Sequence, residues 1–254
     1  TQGVSSAASD VYKRQAIESG AATLAGLLDE TYTDGFLVLH DGRIVYERYF
    51  NGMTPRSLHL SQSVAKSVTA AAVGVLAGRG QFDVNAPVTH YIPELDDTAY
   101  RGALVQHLLD MTTGVAFDET YTNPYSDMGQ LDVAAGWKPA PAGTDPTFRW
   151  PRHVFEQILG LDRIVRRHGE RFDYRSIETE VLGFCMERAM GMRLADIISE
   201  TVWAPMGAEE SASFTVDAAG SALADGGFNA CLRDYARIGA QTVSEMMSAR
   251  RMPM

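Results

Sequence analysis

The spacing of apolar residues predicts one β-hairpin followed by a mostly helical chain. Apolar-rich runs on either side of Asp41-Gly42, a favoured tight-turn pair, predict a hairpin over 36–50. Because a lone hairpin is not stable by itself, its sheet partners are expected either in segments that the pattern does not reveal or outside this chain. Apolar residues recurring three and four positions apart predict helices in 20–35, 62–78, 103–114, 153–166, 177–191, 193–207 and, after a glycine turn, 224–239.

The helix predicted over 62–78 carries an unexpected lysine, Lys66. Ser61 is expected to cap the N-terminus of this helix. The chain has 22 basic residues, and only three of them are lysines. A buried lysine can lose its proton, whereas an arginine cannot, so the choice of lysine here carries chemical information. The expected core face of the helix consists of Val64, Val68, Ala71, Val75 and Leu76.

Ser63 and Lys66 have the spacing of a nucleophile and its base. Residues three apart on a helix share a face. A serine hydroxyl is a weak nucleophile at neutral pH and needs a base, which a desolvated lysine can supply. Ser63 is also expected in the first helical turn, where the dipole and the free N–H groups favour a developing oxyanion. The pattern therefore predicts nucleophilic catalysis, and a surface lysine on a helix is the alternative interpretation.

Composition restricts the class of protein without defining its function. The 254 residues are 45% hydrophobic and 21% charged, which suits one large or two modest domains. The net charge of −10 argues against nucleic-acid binding. No apolar run reaches the roughly 18 residues of a membrane span. The six histidines lack metal-binding spacing, so no cofactor or metal is predicted. Cys185 and Cys231 are expected to be half-buried apolar residues rather than a disulfide.

The first 15 residues have no structural pattern. The stretch SSAASDVYKRQ, residues 5–15, has neither an amphipathic period nor the apolar segment of a signal peptide. Read back through the genetic code, DVYKRQ can be encoded by the transposon end of a common sequencing-library adapter. We therefore expect residues 1–15 to be a non-native, adapter-derived leader on a metagenomic fragment. A natural polar leader is the alternative.

Four stretches together resemble the serine β-lactamase-like superfamily. This superfamily includes class C β-lactamases, penicillin-binding proteins, family VIII carboxylesterases and 6-aminohexanoate-dimer (nylon-oligomer) hydrolases. LSQSVAKS resembles the nucleophile helix, LLDMTTG the LLxxTSG helix, FDYRS the Tyr-x-Asn or Tyr-x-Ser motif, and ADGGFNA the glycine turn that follows. The resemblance is greatest to the 6-aminohexanoate-dimer hydrolases. The four stretches are 60–95, 103–117, 168–191 and 223–239.

The resemblance implies an α+β fold of the β-lactamase/transpeptidase type, with an antiparallel sheet, flanking helices and a mainly helical domain. Residues 16–80 would then form the N-terminal part of the α/β domain with the nucleophile helix. Residues 81–220 would form the mainly helical domain with the substrate loop, and residues 221–254 would return to the α/β domain.

The family's third motif, Lys-Thr-Gly or a His/Gly-rich equivalent on a C-terminal strand, is not found after residue 240. That strand supplies the second oxyanion N–H in the family, and losing one such donor costs roughly 100- to 1,000-fold in rate. We therefore expect the C-terminal strands to be missing and the chain as written to be weakly active or inactive.

The resemblance also implies roles for three residues of the candidate site. It makes Ser63 the nucleophile, Lys66 the general base and Tyr174 the second proton-handling group. Ser176 stands where class C β-lactamases have asparagine. This departure favours an esterase or amidase over a β-lactam hydrolase.

Residues 115–140 resemble the substrate loop of the nylon-oligomer hydrolases. In that family a tyrosine closes over the substrate, an acidic residue lies near its amine and a tryptophan lines the pocket. Spacing from the nucleophile best matches Tyr121, Asp132 and Trp137, with Tyr125 as a rival for the first role. An acidic contact would suit an amine-bearing substrate, and a solvated loop charge is the alternative for Asp132.

The sequence thus predicts a serine hydrolase that cleaves an ester or amide of a small-molecule substrate through an acyl-enzyme. One alternative is a β-lactamase or D-alanyl-D-alanine carboxypeptidase, and another is a non-catalytic penicillin-recognising or degenerate homologue. The chain has no Gly-x-Ser-x-Gly elbow, which argues against an α/β-hydrolase. A homodimer is left open, as is the choice between a cytoplasmic and a periplasmic location in a bacterial cell.

Overall fold

The structure is a computed structural model that describes residues 23–249, with the side chains of residues 23–242. The leader predicted at 1–15 lies outside the described residues. The helices are α1 (Leu24–Glu30), α2 (Val64–Gly78), α3 (Val88–Tyr91), α4 (Val105–Leu109), α5 (Asp127–Ala134), α6 (Val154–Leu159), α7 (Ser176–Met190), α8 (Leu194–Ile198) and α9 (Leu232–Ala249). The strands are β1 (Gly35–His40), β2 (Arg43–Tyr49), β3 (His59–Leu60), β4 (Ser213–Phe214) and β5 (Phe228–Ala230).

The described chain divides into two compact units, and the first comprises residues 23–57 and 239–249. Its described part contains the predicted hairpin, which is confirmed: β1 pairs antiparallel with β2 around Asp41-Gly42. Both turn residues have positive φ, 48° and 73°, as the favoured two-residue hairpin turn requires. Thr23 caps α1 by accepting a hydrogen bond from the backbone N–H of Gly26 at 3.1 Å.

The second unit comprises residues 58–238 and contains a small sheet that the sequence pattern did not predict. Its strands are antiparallel and lie in the order β3-β5-β4. Strands of two or three residues are too short to give a recognisable alternation of apolar and polar positions. The expectation that strands occur only near the N-terminus was therefore wrong.

Helix α2 packs against α7 and α8 in the core of the second unit, through a face that differs from the predicted one. Val64 is 52% exposed and Ala71 is also exposed, so these two assignments were wrong. Small residues occupy much of the true face and allow neighbouring elements to approach closely. The buried residues of α2 are Ala65, Val68, Thr69, Ala72, Val73 and Leu76.

The N-cap predicted at Ser61 was also wrong. Ser61 instead continues the sheet, and its backbone N–H donates to the carbonyl oxygen of Phe228 at 2.8 Å. Ser63 occupies the cap position, with helical backbone angles and no capping hydrogen bond from its side chain. The hydroxyl of Ser63 is therefore not used to cap its own helix.

Several helices are shorter than the apolar spacing predicts. The predicted helix over 103–114 is α4, Val105–Leu109, because the chain then turns to pair with a second segment. The backbone N–H of Val165 donates to the carbonyl of Gly114, and that of Asp173 donates to the carbonyl of Met111, at 2.8 and 2.9 Å. These bonds fix the segment that leads to Tyr174. The predicted helices over 153–166 and 193–207 are likewise confined to α6 and α8, with a π-helical turn over Ser199–Trp203 after α8.

Gly114 permits this pairing because a side chain does not fit there. A Cβ atom at this position would lie 1.8 Å from the carbonyl oxygen of Arg166. Gly74 in α2 is the opposite case, since a Cβ atom there would meet no atom within 4 Å.

We expect Gly114→Ala to lower the free energy of unfolding by about 3 kcal/mol, the upper range for overpacking against a fixed neighbour. The matched substitution Gly74→Ala should raise it by up to about 1 kcal/mol, because alanine is the better helix former. Urea denaturation followed by circular dichroism measures both. A Gly114→Ala protein as stable as the wild type would contradict the close approach.

Candidate active site

Pairing between β3 and β5 brings two distant stretches of the chain together. His59 lies opposite Ala230, and Leu60 lies opposite Asn229. The chain leaves β3 and enters α2 through Ser63, while Asp225 and two glycines immediately precede β5. The start of α2 and the loop before β5 therefore lie side by side.

Ser63 follows a residue with unusual backbone geometry. Gln62 has a φ of +48°, in the left-handed region that residues other than glycine seldom adopt. Ser63 itself has φ −60° and ψ −8° and precedes the first residue of α2. Strained residues of this kind cluster at functional sites. The position also gives Ser63 the positive end of the helix dipole.

Ser63, Lys66 and Tyr174, the three residues to which the resemblance gives catalytic roles, lie together in the structure. Lys66 Nζ donates a hydrogen bond to Ser63 Oγ at 3.2 Å, and the Tyr174 hydroxyl donates to the same oxygen at 2.8 Å. The Lys66 ammonium also lies 5.4 Å from the centre of the Tyr174 ring. The Ser63 oxygen thus has two proton-carrying groups within hydrogen-bonding distance.

Lys66 is held from behind by Asp225, a residue that sequence reasoning missed. Lys66 Nζ donates to the backbone carbonyl of Asp225 at 2.8 Å and lies 3.7 Å from its carboxylate. Only about a tenth of either side chain is exposed. The one available signal was the position of Asp225 in the ADGG turn that the resemblance had already identified.

A buried ionic network holds the segment that carries Tyr174. Arg175 is 2% exposed, and it donates to the Thr113 carbonyl at 2.8 Å and to the Asp173 carboxylate at 2.7 Å. The same guanidinium contacts the Glu178 carboxylate at 3.3 Å, and the Thr113 hydroxyl also donates to Glu178. Since Tyr174 lies between Asp173 and Arg175 in the chain, this network fixes its backbone. Burial raises the pKa of Glu178 to about 7, although Thr113 and Arg175 act in the opposite direction.

Glu119, also missed by sequence reasoning, joins two of the predicted substrate-binding residues. Its carboxylate accepts hydrogen bonds from the backbone N–H and the hydroxyl of Ser176, at 3.0 and 2.6 Å. It also accepts a bond from the Tyr121 hydroxyl at 2.8 Å. Burial, followed by the Glu119 carboxylate, raises the pKa of Tyr121 to about 12, so this hydroxyl keeps its proton at neutral pH.

The other three predicted substrate-binding residues have different surroundings. Asp132 lies in α5, not in a loop, and its buried carboxylate pairs with Lys138 Nζ at 2.5 Å. Trp137 lies against the glycine turn, where its ring is 2.9 Å from the place of a Cβ atom on Gly226. Tyr125 instead packs with Phe148 and Trp150, with ring centres 5.4 and 5.5 Å apart. Direct contact of any of these residues with a substrate stays a prediction.

Comparisons with known proteins identify the family and the relatives of this chain. The Beta-lactamase family matches residues 20–253. The 6-aminohexanoate-dimer hydrolase of Paenarthrobacter ureafaciens is 36% identical over 232 residues, which are 91% of this chain and 57% of that protein. Esterase EstB of Burkholderia gladioli is 27% identical over 210 residues, 74% of this chain and 51% of that protein. The chain thus spans about half the length of the curated relatives that it matches.

Solved structures confirm the fold class expected from the sequence. A Bacillus anthracis protein assigned as a 6-aminohexanoate-dimer hydrolase superposes with a TM-score of 0.77 at 33% identity, over 86% of this chain and 56% of that one. Penicillin-binding-protein and β-lactamase structures of lower identity share the fold alone. The fold is therefore the α+β fold of β-lactamases and transpeptidases. By its family match and its curated relatives, the chain belongs to the Beta-lactamase family.

A helix that spans a membrane must be long and predominantly apolar. Among residues 23–249, no helix combines the length and the apolar character that a membrane span requires. Cys185 and Cys231 are both free, as expected, but they are fully buried in the core rather than half-buried.

The Glu178 carboxyl gives the stability a defined pH dependence. Its pKa is higher in the folded chain than the ordinary 4.5, so the folded state binds its proton more tightly. The protonated Glu178 carboxyl adds its full contribution to the free energy of unfolding below pH 4.5. That contribution, about 3 kcal/mol, is lost as the pH rises to about 7. We expect Glu178→Gln to remove this loss, as measured by urea unfolding at several pH values.

Glu156 in α6 provides a control, because the pKa of its carboxyl is shifted in the opposite direction. Its side chain is partly exposed, and hydrogen bonds from Arg152 hold the pKa of its carboxyl below the usual value. Glu156→Gln should therefore remove a contribution to stability that grows as the pH rises through the acid range and is complete above the ordinary pKa of 4.5. Identical pH dependence in the wild type and Glu178→Gln would contradict the assignment.

Proposed function

We propose that the protein is a serine hydrolase that cleaves an ester or amide of a small substrate through an acyl-enzyme. One observation carries the proposal: Ser63 Oγ lies within hydrogen-bonding distance of both Lys66 Nζ and the Tyr174 hydroxyl. A nucleophile and a base at this distance, with the base held by a third group, are the signature of covalent catalysis. Here Asp225 is the third group.

Acylation begins when Lys66, after its ammonium has released one proton to solvent, accepts the Ser63 proton. The Ser63 oxygen then forms a bond to the substrate carbonyl carbon, and the electron pair of the carbonyl moves to its oxygen. The Ser63 N–H, at the start of α2, donates a hydrogen bond to this oxyanion. When the tetrahedral intermediate collapses, the bond to the leaving alcohol or amine breaks, and Tyr174 passes that group a proton that Lys66 replaces. Water attacks the acyl-enzyme by the same proton route in reverse.

The substrate class follows from the relatives and from the loop over 115–140. Names of the matched relatives include a 6-aminohexanoate-dimer hydrolase and an esterase, which supports ester and amide substrates. We assign Tyr121 and Trp137 to the walls of the substrate pocket and Asp132 to contact with a substrate amine. Lys138 already occupies the Asp132 carboxylate, so an amine-bearing substrate must displace the Lys138 ammonium.

We expect Ser63→Ala to abolish both p-nitrophenyl ester cleavage and covalent labelling by a fluorophosphonate, because both need the Ser63 oxygen. Labelling reports acylation alone, so it remains informative where turnover is slow. Mass spectrometry of the labelled protein locates the modified serine. Hydrolysis of nitrocefin, measured beside the ester, tests the β-lactamase alternative.

Ser67→Ala is the matched control, since Ser67 lies on the same helix and is exposed. It should leave labelling and ester cleavage unchanged. Wild-type protein that resists the fluorophosphonate would refute the proposal in favour of a homologue that only binds. Nitrocefin turnover without ester or amide turnover would favour the β-lactamase.

We expect Lys138→Met to increase the preference for an amine-bearing ester about tenfold, because the freed Asp132 carboxylate gains a charge-assisted hydrogen bond of about 1.5–3 kcal/mol. The measurement compares kcat/KM for p-nitrophenyl 6-aminohexanoate and p-nitrophenyl hexanoate. Lys138→Arg keeps the cation and should keep the wild-type ratio. An unchanged ratio in Lys138→Met would show that Asp132 does not contact the substrate.

A further inference from the structure

Two buried carboxyl groups lie behind Lys66, on the side away from Ser63. Glu180 in α7 is 1% exposed and Asp225 is 6% exposed. The backbone N–H of Asp225 donates to Glu180 Oε1 at 2.9 Å, which brings the two residues together in the interior. Two carboxyl groups buried side by side repel each other strongly when both are ionised, so one of the two keeps a proton.

The surrounding groups decide which carboxyl keeps the proton. Lys66, from α2, lies 3.7 Å from the Asp225 carboxylate and stabilises its negative charge. Burial raises the pKa of Glu180 far above its ordinary value, and the neighbouring Asp225 charge raises it further. The proton therefore belongs to Glu180.

We propose that Glu180 is a positioning residue that, in its protonated form, holds Asp225 against Lys66 and so sets the position of the catalytic lysine. The proposal rests on the proposed function, since it concerns the same Ser63 and Lys66. Glu180 itself does not reach the nucleophile. It acts by accepting the Asp225 backbone N–H and donating its own proton to the Asp225 carboxylate.

Two hydrogen bonds hold the loop at Ala224 and Asp225, and only the one to Glu180 involves a titratable group. The Thr69 hydroxyl of α2 donates to the neighbouring Ala224 carbonyl at 3.1 Å, a contact that does not depend on pH. The Glu180 contact depends on one proton. If Glu180 ionised, two buried carboxylates would face the single positive charge of Lys66, and their repulsion would push Asp225 away. Lys66 would then lose both contacts that aim its Nζ at Ser63.

Tyr174 is a further titratable group beside Lys66. Tyr174, which precedes α7, lies on the far side of Lys66 and contacts it through its ring. A base works only after it has lost its own proton, so loss of a proton from a catalytic base raises the rate of acylation. Loss of the Glu180 proton lowers that rate, so the pH profile separates the two effects by their opposite signs.

The experiment measures the rate at which a fluorophosphonate labels Ser63, from pH 6 to pH 11, in the full chain. Glutamine mimics a protonated glutamate, since its amide donates to Asp225 and its oxygen accepts the Asp225 N–H. Glu180→Gln should therefore label at close to the wild-type rate at neutral pH and lack the wild-type fall at alkaline pH. Glu180→Ala should label about 100-fold more slowly at neutral pH, the cost of a displacement of roughly 1 Å.

Glu187→Gln is the matched control, because Glu187 is a partly buried glutamate at the other end of α7 whose carboxylate accepts the Leu194 N–H at 2.7 Å. It should reproduce the wild-type profile. If Glu180→Ala does not fold, the comparison of Glu180→Gln with the wild type still tests the proposal. That comparison needs only the decrease of the labelling rate at alkaline pH.

An alkaline fall that persists in Glu180→Gln would overturn the proposal, as would a wild-type profile with no such fall. Failure of the wild type to be labelled at any pH would instead count against the proposed function. The two failures are therefore distinguishable in one data set.

Discussion

The structure of the candidate site depends on how one buried lysine is satisfied. An ammonium group taken out of water is costly unless it is paired and hydrogen-bonded. Lys66 meets this need with the carbonyl and the carboxylate of Asp225, and its remaining donor is directed at Ser63 Oγ. Its hydrophobic neighbours on α2 fix the helix, but Asp225 fixes the direction of the side chain.

This arrangement explains features of the fold that otherwise look incidental. The short pairing of β3 with β5 places the start of α2 beside the loop that carries Asp225. Gly226 and Gly227 follow Asp225, and a Cβ atom on either would lie within 3 Å of a neighbouring atom. The loop therefore runs close to its neighbours because glycine allows it, and the lysine is reached by a backbone carbonyl as well as by a side chain.

Sequence reasoning predicted the parts of the molecule that local pattern encodes. The hairpin around Asp41-Gly42 and helix α7 follow from turn chemistry and apolar spacing. The β3-β5-β4 sheet was missed because strands of two or three residues carry no period. Val64 was assigned to the core by the spacing of apolar residues, yet the buried face of α2 uses small residues such as Ala65 and Ala72. The same limit applies to Asp225, Glu119 and Glu180, whose partners are distant in sequence.

The contacts of position 66 favour lysine over arginine. A planar guanidinium has its donors arranged in a fixed fork, which suits one flat, two-oxygen partner. Lys66 instead serves a hydroxyl oxygen, a backbone carbonyl and a carboxylate that lie in different directions. A compact ammonium with rotatable donors fits this set, and it can also release a proton. Geometry and proton transfer therefore select the same residue, in a chain that otherwise uses arginine almost everywhere.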